Sequence, residues 1–420
     1  MAQIFPFRGA RYDAAIAGAA RDVAAPPYDI IDAAGQKALY DRNPHNVIRL
    51  ELGMDQPGDG PTNNRYTRAG ATLSQWMQSG ALKRDPQPTI YYHTIEYVPP
   101  GADPKGPRKT LRGFIATFKL EEFGTGAIYP HENTRAAAKT DRLNLMEACR
   151  ANFSPIWSLY SDPQDTILST LAQAAKSTAP CVEFRDDVGF EQRLWAISDP
   201  AVTQKVTAAM ASKPIFIADG HHRYETALNY SKESDNPNAQ YVMMTFVNMH
   251  SPGLKILATH RVLRNVSHLR VEELLAKVTG AWSVKSLDSI QALKHELGQP
   301  TPQSIRIGVV TGEGEWLLSR PRFHGELDVP VLHNEILGGW LGIGEQAVRE
   351  GSHIQYVRGL DAAVAEVPTP ALDLPARRHG RGRRVERHSV ADAGVGRRDH
   401  EGRHRVGGRH HGEGCRRARR

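Results

Sequence analysis

The chain has 420 residues, 40% hydrophobic and 24% charged, with three cysteines and a formal net charge of +7, enough for two domains or one large one with an ample core. No stretch reaches the roughly 18 apolar residues of a membrane span, and the opening Met1-Ala2-Gln3-Ile4-Phe5-Pro6 lacks the basic and apolar regions of a secretory signal. Cys149, Cys181 and Cys415 are too few and too scattered for a disulfide framework or a zinc cluster, so the expected setting is the cytoplasm and the expected surface faces no membrane.

Residues 1–120 read as a mixed α/β region. Ala24-Ala25-Pro26-Pro27-Tyr28-Asp29 is a turn, and Asn46-Val47-Ile48-Arg49-Leu50-Glu51 is expected to be a short strand. Tyr66, Ala69, Leu73 and Trp76 recur at helical spacing between Arg65 and Gln78, with Gly80 as a stop. Thr89 to Tyr97 is β-rich, and after the Pro/Gly-rich stretch 98–108 a second strand is expected over Thr110 to Leu120, forming a hairpin around a long loop.

Residues 121–235 carry the chemistry. Gly124 to Thr134 is a Gly- and Pro-containing loop, the kind of exposed segment on which sites are built. Within it Glu132 is a carboxylate that would serve as a proton acceptor if burial raised its pKa; the plainer alternative is a surface acid. Lys139-Thr140-Asp141-Arg142 opens a helical stretch and puts Lys139 and Arg142 three apart, on one face. That face suits polyphosphate or is simply solvated. Cys149, among apolar neighbours, reads as core. The most informative segment is Ile215-Phe216-Ile217-Ala218-Asp219-Gly220-His221-His222-Arg223-Tyr224, where an apolar strand meets Asp-Gly and a helix follows. A helix N-terminus offers N–H groups and a positive dipole end to an anion. Gly220 lets the backbone approach closely, and His221, His222 and Arg223 add donors. There is no Walker loop. In the bland reading Asp219 caps the helix and the histidines pack.

Residues 236–367 are expected to form a C-terminal α/β region. It has strands at Tyr241 to Asn248 and Ile256 to Val262, a helix from Val271 to Thr279, and a hairpin of Ile305 to Val310 with Glu315 to Leu318. No fixed-period repeat is present. His45, His93 and His260 stand singly and read as structural, with no His-x-His or Cys-x-x-Cys pair; the metal expected is Mg²⁺ arriving with phosphate and held by carboxylates and water.

From about Pro368 the composition breaks. Residues 371–420 carry 15 Arg against 6 acids and no Phe, Tyr, Trp, Ile, Met or Lys, so the other 370 residues hold 38 basic and 40 acidic groups and the positive charge belongs to the tail. Segment 368–420 is too poor in apolar residues to offset its ordering entropy. It reads as a product of out-of-frame translation, a disordered tail, or an Arg/Gly arm for nucleic acid; any nucleic-acid binding is expected through it alone.

From Phe5 to about Val367 the chain resembles the bacterial family known as domain of unknown function 1015. The residues that carry the likeness are Pro26-Pro27-Tyr28-Asp29, Asn46-Val47-Ile48-Arg49-Leu50, Tyr129-Pro130-His131-Glu132-Asn133-Thr134, Lys139-Thr140-Asp141-Arg142 and Ala218-Asp219-Gly220-His221-His222-Arg223. More remotely, Pro-His-Glu with Asp-Gly-His-His-Arg resembles the free-serine kinases of the ParB/sulfiredoxin-like superfamily. That likeness implies an α/β (α+β) fold with a ParB/sulfiredoxin-like mixed-sheet core over 121–235. It also implies phosphorylation of free L-serine to O-phosphoserine with pyrophosphate, ADP or ATP as donor, and Mg²⁺. Glu132, His222 and Asp219 would then be catalytic, and Gly220, His221, Arg223, Lys139 and Arg142 would bind phosphate. His131, Asn133 and Thr134 would bind substrate, and Asp219 and Asp141 would hold the metal. A non-catalytic nucleotide- or phosphometabolite-binding regulator is the alternative. Thiol chemistry of the sulfiredoxin kind is not expected, because His221 stands where a cysteine is needed. Nor is ParB-like DNA reading, for want of a helix-turn-helix. The family's C-terminal Met-Pro-x-Lys-like motif and aromatic strand are replaced here by the Arg-rich tail.

Overall fold

A computed structural model describes residues 1–99, 102–130, 136–255, 259–266, 271–278, 280–299, 301–323, 326–350, 353–367 and 388–392. Two compact units emerge, Met1–Lys255 and Ile256–Arg398.

The first unit contains eleven strands among its described residues: β1 (Ile4–Phe5), β2 (Ala10–Tyr12), β3 (Leu82–Arg84), β4 (Ile90–Tyr97), β5 (Lys109–Lys119), β6 (Ile128–Tyr129), β7 (Ile156–Tyr160), β8 (Val182–Arg185), β9 (Glu191–Ile197), β10 (Ile215–Asp219) and β11 (Tyr241–Asn248). Nine form one sheet in the order β6-β10-β7-β11-β5-β4-β9-β8, with β1 also on β5; β2 and β3 pair separately. The sheet is mixed, with β6–β10 and β7–β11 parallel and the other pairs antiparallel. The α/β class expected from the sequence is therefore observed. The border drawn at 120/121 runs through this sheet, and the one drawn at 235/236 would cut off β11, which pairs with β5 and β7.

Period-2 burial explains the central strands: Phe114, Ala116 and Phe118 of β5 and Met244 and Phe246 of β11 point into one core. Phe114 stacks on Phe246 at 5.1 Å. The helices Thr166–Ala175 and Pro200–Met210 cover that face with Ile167, Leu168, Leu171, Val206 and Met210, at three- and four-residue spacing. Asp199 caps the latter by accepting from Ala201 N, and Pro200 fits its first turn. The helix read over Arg65 to Gln78 runs Arg65–Ser79, opened by an Asn64/Thr67 capping box and closed by Gly80 at φ 79°.

One element differs in type. The stretch Asn46–Glu51, expected as a strand, forms a short helix at Ile48–Glu51. The buried Asn46 side chain accepts from Ile48 N (3.0 Å) and donates to the carbonyls of Asp22 (2.7 Å) and Ala24 (2.9 Å). This local side-chain bonding gives the backbone an alternative to a sheet ladder.

The second unit has a six-stranded sheet of β12 (Thr259–Leu263), β13 (Ser283–Leu287), β14 (Ser304–Thr311), β15 (Gly314–Pro321), β16 (Ile354–Arg358) and β17 (His388–Asp392), in the order β13-β15-β14-β17-β12-β16. The β14–β15 hairpin matches the sequence reading, with Gly314 at φ 150° after the turn. The helix expected over Val271 to Thr279 is Val271–Ala276. Ile305, Ile307, Val309 and Leu318 form the core with Leu332 and Ile336 of the π-helix Leu332–Trp340. β17 comes from the Arg-rich tail, for which no packed structure is expected from composition. Ser389-Val390-Ala391 is a short run between the Arg blocks, and its backbone pairs with β12 and β14. Ladder bonds come from the main chain, so an Arg-rich flank does not forbid them.

Candidate functional site

The segment Ile215–Asp219, Gly220, His221–Glu233 is a strand, a turn and a helix, as its pattern requires. Gly220 sits at φ 95°, and a Cβ there would also lie 3.0 Å from the Arg223 guanidinium, so both conformation and space call for glycine. Gly220 is the N-cap residue of the helix, and Asp219 pairs with Arg223, whose Nη1 donates to Pro155 O at 2.7 Å.

A register shift in β10 decides where Asp219 points. Phe216 pairs with Leu159 and Ile217 with Ser158, but Asp219, not Ala218, pairs with Trp157. Directly opposed residues share a face, so Ile217 and Ser158 face the core while Phe216 and Asp219 share the other face with Leu159 and Trp157. This β-bulge re-aims the carboxylate out of the core, as bulges near sites do. On the same face Tyr129 of β6, 46% exposed, stacks on Phe216 at 5.3 Å. Tyr129 and Phe216 are register partners. The chain thus leaves β6 three residues before Glu132, beside a point three residues before Asp219. His131, Glu132, Asn133 and Thr134 themselves lie outside the described residues.

The helix Ala136–Cys149 brings the Lys139–Arg142 stretch to the same place. Lys139 Nζ meets Glu225 of the following helix at 3.0 Å, and Thr226 Oγ1 donates to Lys139 O at 3.5 Å. Arg142 is enclosed, its side chain 7% exposed against 32% for Lys139. Arg142 Nη1 donates to Glu51 O (3.1 Å) and Glu51 Oε1 (3.2 Å), its Nε donates to Asp141 Oδ2 (2.7 Å), and its guanidinium lies 3.9 Å over the Tyr28 ring. The second carboxylate oxygen of Asp141 accepts from Arg65 Nη2 (2.7 Å) and Tyr66 OH (2.8 Å). Of the three cations expected on phosphate, Arg142 is therefore committed to Glu51, Asp141 and Tyr28, Arg223 is paired with Asp219, and Lys139, paired with Glu225, is the more open. His221 is also enclosed, at 1% exposure, and His222 is part-exposed at the helix start.

The charges follow from this packing. Burial pushes the Glu51 carboxyl up, against the pull of Arg142, a hydrogen bond from Ser154, and Arg223. Burial would also raise Asp141, but Arg142, the Tyr66 hydroxyl and Arg65 outweigh it and hold the group below its ordinary value. Burial raises Tyr28, opposed by Arg142 and Arg223. The Cys149 thiol is pushed up to about 12 by burial and then by the Glu51 charge, which agrees with a packed cysteine and not a thiolate nucleophile.

Arg142 thus joins residues from Pro26–Asp29, Asn46–Glu51 and Lys139–Arg142, the charge of Arg223 reaches Glu51 and Tyr28, and Lys139 meets Glu225 just beyond the Asp219–Arg223 turn. Tyr28 and Glu51 were not singled out as site residues by the sequence, nor were Arg65 and Tyr66. Tyr28 and Glu51 do lie in or beside stretches that carried the family likeness, the one available signal. A small cavity bordered by Glu51, Arg65, Tyr66 and Arg142 measures about 10 Å³, room for about one water and no substrate.

Among the described residues no group of three or more His, Cys, Asp or Glu is placed to hold a metal. Asp141, expected as a metal ligand, is occupied by two arginines and a tyrosine. Asp219, the other carboxylate expected to hold the metal, is itself paired with Arg223. Also among the described residues, no helix is long and apolar enough to cross a membrane.

No curated protein and no solved structure matches the chain. The family model described as protein of unknown function (DUF1015) matches residues 4–361, most of the chain, including every motif stretch gathered here, and the chain belongs to that family.

Proposed function

We propose that the chain is a small-molecule kinase that transfers a phosphoryl group to the hydroxyl of free L-serine, with pyrophosphate, ADP or ATP as donor. The observation that carries this reading is the gathering of three motif stretches at Arg142, with Tyr28 and Glu51 within electrostatic reach of Arg223 in the Asp219–Arg223 turn. A fifth, with Glu132, leaves the neighbouring strand in register. The remote likeness to ParB/sulfiredoxin-like serine kinases supplies the acceptor.

Phosphoryl transfer asks a protein mainly for positioning and charge stabilisation. The N-terminus of His221–Glu233 presents its dipole and backbone donors to an anion. His222 and Arg223 stand beside it, and Lys139 is the part-exposed cation for the leaving phosphate. Glu132 accepts the hydroxyl proton as oxygen attacks phosphorus. Arg142 acts at one remove, tying Glu51, Asp141 and Tyr28 behind the turn. Asp219 would be the carboxylate to hold Mg²⁺, which would supply charge neutralisation.

The test is direct. Full-length protein is given serine with each donor in turn, and O-phosphoserine is measured by mass spectrometry. Formation with at least one donor is expected, together with a loss of roughly 10²–10⁴-fold in Glu132→Gln. An undiminished rate in that variant removes Glu132 from the chemistry. Tight donor binding with no phosphoserine moves the protein to the regulator reading.

A further inference from the structure

Tyr224 follows Arg223 in the helix and is fully buried. Its hydroxyl donates to Glu121 O at 2.8 Å and accepts from Glu121 N at 3.0 Å, and its ring stacks on Phe123 at 5.1 Å. Glu121 then turns its own carboxylate onto the chain ahead. Oε1 accepts from Ala127 N and from Ile128 N, the latter at 2.8 Å. Loop 121–127 is thereby closed across its mouth. Gly126 has no side chain because a Cβ there would collide with the Glu121 carboxylate. Ala127 O in turn accepts from Ile215 N at 2.7 Å, and Ile128 is the register partner of Ile215. A continuous run of bonds thus leads from the helix that carries Arg223, through Tyr224 and Glu121, to the first residues of β6. It fixes Tyr129, where the chain departs for the segment carrying Glu132, against the strand that ends in Asp219.

We infer that Tyr224 and Glu121 form a clamp that sets the end of β6 against the Asp219–Arg223 turn, and that phosphoryl transfer depends on both as positioning residues that touch no substrate. The inference rests on the proposed kinase reading. It fits the chemistry of the groups. Burial raises the Tyr224 hydroxyl well above its ordinary value, so it stays a donor. A carboxylate accepting two backbone N–H bonds is a strong, charge-assisted anchor. Misplacing one reacting group by about 1 Å costs about 10²-fold in rate, which is the scale a loosened clamp would reach.

The test uses the full chain as Tyr224→Phe, which keeps the ring stack and deletes only the hydroxyl, and as Glu121→Ala and Glu121→Gln. In Tyr224→Phe, kcat is expected to fall roughly 10–100-fold while KM for the donor stays put, since the turn that binds it is untouched. Glu121→Ala should behave likewise, and Glu121→Gln, which keeps an oxygen acceptor, should recover most of the loss. A purely structural role would lower the amount of folded enzyme without this split. Amide hydrogen exchange read on the same samples should speed up at Ala127 and Ile128 and not at residues 215–219. A folded Tyr224→Phe enzyme with wild-type kcat overturns the inference. Should the wild-type chain form no phosphoserine at all, the kinase reading fails. The clamp is then judged on exchange, where unchanged protection at Ala127 and Ile128 in both Tyr224→Phe and Glu121→Ala overturns it too.

Discussion

Arg142 is held between Glu51 and Asp141 and stacked over Tyr28, and the two carboxylates respond to it with opposite outcomes. Asp141 is held below its ordinary value of 3.8. Its contribution to stability is present above that value and disappears as pH falls through the lowered folded pKa. Asp141→Asn should therefore cost about 1.5–3 kcal/mol at neutral pH, read by urea denaturation, and should soften the fall in stability on the acid side. Glu51 is raised from 4.5 by burial. Its contribution is present below 4.5 and is lost as pH rises through its raised folded value. Glu51→Gln removes that loss, so its stability relative to wild type should climb as pH is raised above 4.5 and then level off. Stability curves of both variants between pH 3 and 8, on the order of the range such groups titrate in, check the two signs together. If the two variants show parallel pH profiles, the arrangement around Arg142 is wrong. The sequence revealed Arg142 and Asp141 but assigned them to phosphate and metal. Nothing local shows that their partners lie 91 residues back at Glu51 and 76 back at Arg65.

At the scale of elements, the strand–turn–helix at 215–233 was legible because every cue is local: an apolar β-type run, Asp-Gly, then Ala227 and Leu228 at helical spacing. The aim of Asp219 was not legible. It depends on the bulge between Ile217 and Asp219, which exists only relative to β7. The short helix at Ile48–Glu51 escaped for a related reason, since the Asn46 side chain reaches carbonyls more than 20 residues earlier. Gly220 is where the element and the chemistry meet. Gly220→Ala places a Cβ at φ 95° and 3.0 Å from the Arg223 guanidinium. It should lower stability by about 1–3 kcal/mol and cut phosphoserine formation further than that loss explains, because Arg223 must move. A Gly220→Ala protein with wild-type turnover would separate the turn from the activity.

On the scale of the whole molecule, the four described motif stretches lie within Met1–Lys255, while the strand contributed by the Arg-rich tail lies in the other unit, between β12 and β14. The α/β class was legible in the alternation of strand and helix patterns. The division near residue 255 was not, because β11 is separated from its partner β5 by more than 120 residues of intervening chain. Removing residues 368–420 should lower the unfolding temperature of the second unit, which loses β17, and leave serine phosphorylation in place. Loss of that activity in an otherwise folded truncated chain would tie the tail to the site. The same truncation should abolish any nucleic-acid binding, since it takes away 15 arginines and with them the steep salt dependence such binding would show.

Whether the Asp219–Arg223 turn receives a phosphoryl donor is tested by a phosphorus NMR titration of the full chain with pyrophosphate, ADP and ATP in the presence of serine and Mg²⁺. One donor's terminal resonance should broaden and a phosphoserine signal grow in its place, and both effects should vanish in Arg223→Met. Donor resonances that stay sharp and unshifted for all three compounds, or that respond equally in wild type and Arg223→Met, would contradict it.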